Sequence, residues 1–375
     1  MIRPINSKTL SASEKRGVYI HIPYCRSRCS YCSFVSGCDF SDMEAYKNAL
    51  IKEVEERGCG KAADTVYIGG GTPSVLRRGY LGEILDAIRR NFALDSGSEI
   101  SVECNPDSAN AEFFAECAAA GVNRVSIGLQ SASDRLLRAV SRPHTFGQFA
   151  ESVRAARAAS ITNINADLML NLPEQNESDL IDSLDRIIEF GLPHVSVYGL
   201  SVEKGTPLFE SGYTPDEDRG ADMYERTVEI LRSHGFCRYE VSNFSFKGKE
   251  CRHNLKYWRR GIYDGIGLAA HSFDGKARVE NTSKKSEYLK GNRIERRVEL
   301  TADDEIEETV MLALRTSDGI DCGSLREKYG YDILNEKAEE ISRLSSLGLL
   351  KIDSNRLKLT DKAYYIMNSV IVSLL

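Results

Sequence analysis

From Val18 to about Ser242, short runs rich in β-branched residues alternate with longer stretches whose apolar positions recur every three or four residues. That alternation predicts repeated βα units around a parallel sheet. Six runs carry the strand pattern: Val18–Ile22, Thr65–Ile68, Glu99–Glu103, Arg124–Ile127, Asn163–Met169 and His194–Tyr198. Between the second and third, Leu81, Ile84, Leu85, Ile88 and Phe92 fall on one helical face. Asp42, Asn110, Ser178 and Asp216 are expected as N-caps of further helices. Six such units predict an α/β fold, an incomplete (β/α)6 barrel in preference to a flat doubly wound sheet. In either architecture the chemistry belongs at the carboxyl ends of the strands.

Beyond about Thr301 the pattern becomes helical, opening on Asp303-Asp304-Glu305, whose charge suits a helix N-terminus. Leu349–Ile352 and Arg356–Leu359 flank Asp353-Ser354-Asn355, which predicts a hairpin following helices. A smaller C-terminal helical, winged-helix-like domain is therefore expected. The predicted divisions are a flexible N-terminus over 1–16, the barrel over 17–242, a connecting segment over 243–300 and the C-terminal domain over 301–375.

The chain has 375 residues, with 49 Lys and Arg against 55 Asp and Glu and a formal charge of −6. From residue 301 onward, 14 acidic residues face 9 basic ones, so winged-helix binding to a nucleic acid duplex is not expected. The opening MIRPINSKTLSASEKRG lacks the apolar centre of a secretory signal, and there is no run of about 18 apolar residues. A cytoplasmic protein with no transmembrane segment is expected, its contact with membranes limited to transient surface association. Composition does not set the oligomeric state.

Ten cysteines are spread through the chain, with one tight cluster and the rest scattered as small apolar residues would be, which is not a disulfide framework. The cluster, Cys25-Arg26-Ser27-Arg28-Cys29-Ser30-Tyr31-Cys32, follows the first strand. Three thiolates at this spacing can hold three corners of a cubane iron-sulfur cluster, leaving one iron open to a small chelating molecule. Zinc is the competing reading, with Cys38 or His21 recruited as a fourth ligand, although paired CxxC halves are absent. Gly69-Gly70-Gly71-Thr72-Pro73 follows the second strand and matches neither the dinucleotide fingerprint nor the Walker pattern. Glu103 ends the third strand, Gln130 follows the fourth and Asp167 lies near the end of the fifth, so five strand ends are expected to converge on one site.

The cysteine spacing and the glycine turn together resemble the radical S-adenosylmethionine (SAM) superfamily. That resemblance implies a radical SAM barrel in which a [4Fe-4S] cluster on Cys25, Cys29 and Cys32 passes an electron to the sulfonium of SAM. Tyr19-Ile20-His21-Ile22-Pro23, Gly69 to Ser74, Ser126 to Ser131 and Asp167 narrow it to the family of oxygen-independent coproporphyrinogen III oxidase and its relatives. The family resemblance implies that Tyr19, Gly70, Gly71, Thr72 and Glu103 contact SAM, and that Gln130, Arg142 and Asp167 contact a second molecule of it.

The oxidase loop continues as CxxxCxxCxC, whereas Phe34 stands at its last cysteine position here. With His253-Asn254-Leu255-Lys256-Tyr257-Trp258, this resembles the heme chaperone branch of the family. The branch implies heme binding and delivery to a heme-accepting protein that the sequence does not identify. Oxidative decarboxylation of coproporphyrinogen III remains the enzymatic alternative, and a zinc-binding adaptor a third. His253, Asn254, Tyr257 and Trp258, flanked by Lys256, Arg259 and Arg260, are chemically able to ligate iron, stack on a porphyrin and pair its propionates. His21 is expected near the barrel interior, His271 is a further candidate, and His144, His194 and His234 are expected at the periphery.

Overall fold

The computed structural model describes residues 15–375. The flexible lead-in expected over 1–16 thus lies outside the described residues except for Lys15 and Arg16, the latter opening the first strand. The six expected runs form β1 (Arg16–Ile22), β2 (Lys61–Gly70), β3 (Phe92–Cys104), β4 (Arg124–Gln130), β5 (Asn163–Leu170) and β6 (His194–Gly199). Each pairs in parallel with the next. Val18, Ile20, Val66, Ile68, Val102, Val125, Ile127, Ile164 and Val195 point into one buried core beneath the helices. The intervening positions carry Tyr19, Tyr67, Glu103, Ser126, Asp167 and Ser196. With a side-chain period of two, these line the other face, so the interior of the curved sheet is polar.

The helix Tyr80–Asn91 buries Leu81, Ile84, Leu85 and Ile88 as its periodicity predicts. Asn110 and Asp216 cap their helices by accepting from the backbone N–H of Phe113 and of Arg219. Of the other two expected caps, one is corrected and one is met in position only. Ser178 lies inside the helix Glu177–Glu189, where Asn176 caps and Asp179 completes a reciprocal capping box. Asp42 holds the expected N-cap position, its carbonyl accepting from Tyr46 N at 2.8 Å, but its side chain makes no capping bond: the carboxylate accepts from Tyr24 Oη at 2.7 Å and pairs with Lys285 at 2.8 Å.

Residues 243–300, expected as a connecting segment, are woven into the same sheet. They supply β8 (Asn243–Ser245), β9 (Tyr263–Ile266), β10 (His271–Phe273), β11 (Ala277–Asn281) and β12 (Ile294–Glu299), while β7 (Cys237–Arg238) precedes them. The twelve-stranded order is β12-β11-β10-β9-β1-β2-β3-β4-β5-β6-β8-β7, and among the described residues no ladder joins β6 to β1. β9 lies parallel to β1, with Gly17 opposite Tyr263 and Ile20 opposite Ile266. Buried Glu53 fastens this addition, accepting from Gly267 N at 3.0 Å, Asn281 Nδ2 at 2.8 Å and Tyr288 Oη at 2.8 Å.

The C-terminal part has its own core, built on Val310, Leu314, Ile320, Leu325, Leu344 and Leu357. Thr301 caps its first helix, Ala302–Ala313, in a capping box with Asp304. β13 (Ile320–Asp321), β14 (Leu350–Asp353) and β15 (Arg356–Leu359) form a small sheet ordered β13-β15-β14. Ser354 and Asn355 take φ of 50° and 62°, the left-handed geometry that a two-residue hairpin turn requires. Helices followed by this hairpin give the expected winged-helix-like layout. Among the described residues, no helix is long and apolar enough to cross a membrane.

Candidate functional site

The cysteine loop leaves the carboxyl end of β1 and is fastened at both ends. Cys25 N donates to Gly37 O at 3.0 Å and Gly37 N to Pro23 O at 2.9 Å, closing the loop on itself. The glycine turn after β2 then seals against it, with Gly71 N donating to Ile22 O and Thr72 N to Tyr24 O, both at 2.8 Å. A Cβ on Gly71 would stand 2.7 Å from Tyr24 O and 3.0 Å from Cys25 Sγ, so only glycine allows this approach. Gly70 has φ +109°, and a Cβ there would meet the His21 ring at 2.6 Å. His21 is itself fixed: Nε2 donates to Val35 O at 2.9 Å, which leaves Nδ1 to accept from Tyr19 Oη at 3.1 Å. Burial lowers its pKa, in keeping with this neutral tautomer.

Two side chains reach the cysteine sulfurs. Thr72 Oγ1 donates to Cys25 Sγ and Arg142 Nη1 to Cys29 Sγ, each at 3.4 Å. Arg142 Nη2 also donates to Asn105 Oδ1 at 2.9 Å and Gly128 O at 2.7 Å, and Asn105 Nδ2 donates to Thr72 Oγ1 at 3.2 Å. The loops after β1, β2, β3 and β4 therefore form one hydrogen-bonded rim. Gln130 has φ 68° and sits where the β4–β5 register slips, a bulge that redirects its side chain next to Arg142 and Gly128.

Below the rim, Glu103 accepts from Tyr67 Oη at 2.8 Å and Gly70 N at 3.1 Å. Burial, together with the nearby charge of Asp167, raises its carboxyl pKa to about 7. Asp167 accepts from Ser126 Oγ at 3.2 Å and Asn165 Nδ2 at 2.7 Å, and burial raises its pKa as well. Arg124 is deeply buried near these acids, with its Nε and Nη1 unpartnered. The rim and interior thus offer three thiols, backbone N–H donors, and carboxylates held for a cationic or hydroxyl-bearing ligand.

The HNxxYW segment lies elsewhere. It forms the helix Arg252–Trp258, whose first backbone N–H groups are accepted by Glu99, with Arg252 N at 3.0 Å and His253 N at 3.1 Å. His253 is fully buried against Gly17 and Thr65, near the amino end of β1 and the middle of β2, away from the cysteine loop that follows Ile22. Both ring nitrogens are engaged, Nδ1 with Thr65 Oγ1 at 2.9 Å and Nε2 with Tyr257 Oη at 2.8 Å. Burial, with Lys256 nearby, lowers its pKa to about 3. Asn254 and Tyr257 are half-buried on the same helix. Trp258 instead borders a cavity of about 440 Å³ between this helix and the C-terminal part, with Arg259, Arg260, Lys328, Tyr329 and Arg356.

The flanking cations are less free than their spacing suggests. Lys256 pairs with Asp64 at 2.7 Å, Arg259 with Asp318 at 3.1 Å, and Arg260 with Glu305 and Glu308 at 3.2 and 2.9 Å. His194 and His144, expected at the periphery, are buried. His194 bridges Asn165 Oδ1 at 2.6 Å and Tyr239 Oη at 2.8 Å, and His144 meets Leu129 O at 3.1 Å. Partners inside the fold serve both ring nitrogens of His194 but only Nε2 of His144, whose Nδ1 is buried without one. Asn105, Tyr67 and Asn165 lie in the candidate site and were not singled out from sequence, although each lies on the interior face or next to a strand end already marked. Among the scattered cysteines, Cys38, Cys59 and Cys237 are exposed, not buried.

The family model of the radical SAM superfamily matches residues 19–187, and that of the HemN C-terminal domain matches residues 300–366. The chain is 35% identical over 361 residues to the heme chaperone HemW of Lactococcus lactis subsp. lactis (strain IL1403), covering 94% of this chain and 95% of that one. It is 34% identical over 370 residues to the heme chaperone HemW of Bacillus subtilis (strain 168), covering 95% and 98%. Among solved structures, coproporphyrinogen III oxidase (HemN) from Escherichia coli, a radical SAM enzyme, superposes with a TM-score of 0.85 over 97% of this chain and 90% of that one. At 22% identity, that likeness shows a shared fold.

Proposed function

Because this chain belongs to the heme chaperone HemW family of the radical SAM superfamily, we propose that it is a cytoplasmic heme carrier. In this reading it binds a [4Fe-4S] cluster, SAM and heme, and hands the heme to an acceptor protein. The observation that carries the reading is the three-cysteine loop locked onto the glycine turn, with exposed Phe34 where the oxidase pattern has a further cysteine.

The residues present fit a cluster with one open iron. The donor set is three thiols on one closed loop, Thr72 and Arg142 already direct donors at two of the sulfurs, and a Cβ would close the approach at Gly71. Cys25, Cys29 and Cys32 would hold the cluster. Tyr19, Gly70, Gly71, Thr72 and Glu103 would hold SAM, with Gln130, Arg142 and Asp167 facing a second molecule. When bound, the cluster supplies a low-potential electron to the sulfonium. The chain's own contribution is positional. The glycine turn brings backbone close to the ligand, Glu103 accepts from hydroxyl or ammonium groups, and the tyrosine-lined interior limits water.

For heme, the motif residue on open space is Trp258. Iron ligation by His253 would require surrender of one of its two hydrogen bonds inside a fully buried setting. We therefore assign the porphyrin face to Trp258 and its carboxylates to Lys328 and to Arg356, which would have to share its guanidinium with Asp321 at 3.1 Å on the same wall, while His253, Asn254 and Tyr257 belong to the helix that carries Trp258.

The deciding experiment is heme titration of anaerobically reconstituted protein, followed by transfer to an apo-acceptor with and without SAM. Stoichiometric binding and transfer are expected. Absence of binding removes the carrier reading and leaves the cluster assignment standing. Catalytic turnover of coproporphyrinogen III under reduction replaces the carrier reading with the oxidase, and a colourless preparation holding stoichiometric zinc removes the cluster itself.

A further inference from the structure

We propose that His253 is a positioning residue for Glu103, acting through the ring and hydroxyl of Tyr67. This rests on the reading that Glu103 contacts SAM, and it gives the histidine of the HNxxYW segment a task directed at the far end of the barrel.

The connection is continuous. Thr65 and Tyr67 are two residues apart on β2 and face the interior together. His253 bonds Thr65 through Nδ1 and lies beneath the Tyr67 ring, with centroids 5.3 Å apart and planes 27° from parallel. Tyr67 Oη then donates to one oxygen of Glu103, whose other oxygen accepts from Gly70 N in the glycine turn. Glycine stands wherever the column needs width. A Cβ on Gly17 would lie 2.9 Å from His253 Cε1, and one on Gly69 would lie 2.7 Å from Glu103 Oε2. Tyr257 fixes the remaining nitrogen of His253 at 2.8 Å, so the imidazole has no freedom to tilt. A packed column without slack transmits the placement of its base to its top.

Tyr19, Tyr67, Tyr198, Tyr257, Asp167 and Arg124 are the titratable and charged groups that face Glu103. Burial and Asp167 favour its protonated form, whereas the bonds from Tyr67 and Gly70 favour the carboxylate. Loss of the Tyr67 donor therefore moves ionisation of Glu103 to higher pH.

The test is calorimetric titration of SAM into the cluster-reconstituted full chain without heme, across pH. Tyr67→Phe and His253→Ala are each expected to weaken SAM binding about tenfold and to move the pH midpoint of binding upward, as loss of one hydrogen bond to a charged acceptor implies. The double variant is expected to be no weaker than the weaker single, because both interrupt one column. His253→Phe, which keeps a ring under Tyr67, is expected to recover most of the affinity. Wild-type affinity and pH midpoint in His253→Ala would overturn the proposal, as would additive losses in the double variant. If His253→Ala does not fold, His253→Leu, which fills the space without a ring under Tyr67, is read in its place: weakened SAM binding is expected, and wild-type affinity and pH midpoint would overturn the proposal. If fully reconstituted wild-type protein takes no SAM, the cofactor reading fails and this proposal with it. If wild type binds and both Tyr67→Phe and His253→Ala match it, this proposal alone fails.

Discussion

Replacing Arg142 by Leu tests how the rim is held together. Its guanidinium makes three bonds, to Cys29 Sγ at 3.4 Å, Asn105 Oδ1 at 2.9 Å and Gly128 O at 2.7 Å. Leu leaves the last two acceptors without this donor, at about 1–3 kcal/mol each, offset in part because a half-buried cation no longer has to be desolvated. A net loss of about 3 kcal/mol corresponds to a fall in Tm of about 4 °C for a chain of this size. The second consequence concerns the iron centre. Removing an N–H donor from a ligating sulfur lowers the reduction potential of a thiolate-bound cluster. Thermal unfolding of the apoprotein and redox titration of the reconstituted protein read the two effects separately. Arg142→Lys retains the charge but not the fork, so it should fall between wild type and Leu in both assays. The reasoning is refuted if Arg142→Leu melts within about 1 °C of wild type and its cluster keeps the wild-type potential, since Arg142 would then be no more than a cation at a helix end.

Three other outcomes follow from the geometry. Gly70→Ala should weaken SAM binding by about tenfold or more while the protein stays folded, because φ +109° disfavours any side chain and the new Cβ meets the His21 ring at 2.6 Å. Calorimetry beside circular dichroism checks this. Trp258→Ala should reduce heme affinity at least several-fold and leave SAM affinity unchanged, since its cavity lies at the opposite end from the glycine turn; parallel titrations with the two ligands decide. Glu240 is buried beside Arg238 and Tyr239, next to the backbone bridge to Thr316, and burial raises its pKa from 4.5 to about 7. The folded state therefore holds a proton that the unfolded state releases, so stability falls as pH rises from 4.5 through about 7. Glu240→Gln should be more stable than wild type by roughly 3 kcal/mol at pH 8, with little gain at pH 5. Urea unfolding at both pH values measures it, and an equal gain at the two would refute the assignment.

The parts of this molecule that were legible in its sequence are those where one residue type has one physical use. β1 to β6 show as β-branched runs because their outer faces pack under helices, and the cysteine loop shows because three thiols within eight residues stand apart from the scattered ones. β9 was not legible. Tyr263–Ile266 is four residues long with a glycine and an aspartate, and only tertiary docking on β1 makes it a strand. Ser178 was an equally good cap by type, but Asn176 starts the helix two residues earlier and gains a reciprocal partner in Asp179. His194 was misplaced because a histidine ending a helix–strand connection reads as surface; its partners Asn165 and Tyr239 come from distant parts of the chain. For the HNxxYW segment the residue types were clear and their directions were not. Helical geometry puts His253 and Tyr257 on one face against β2 and turns Trp258 toward the C-terminal part.

The separation of the two ends constrains how heme and SAM can act together. His253 adjoins Gly17, whereas the cysteine loop starts after Ile22 on the same strand. Five residues of extended chain span about 16 Å, and Trp258 points away from that interior. If heme is held in the Trp258 cavity as proposed, an acceptor would reach it from the amino-end side, without opening the rim over the proposed cofactor site. Direct contact between the two ligands is then no route for SAM to influence transfer. Any such influence must pass through an element touched from both sides. The helix Arg252–Trp258 is one, because it carries Trp258 at its end and places His253 under Tyr67. Coupling conducted this way is reciprocal, so a change that SAM makes in heme affinity is matched by the same factor in the effect of heme on SAM. Loss of both effects in Tyr67→Phe, with each ligand still bound, would separate conduction through this column from a general loosening of the fold.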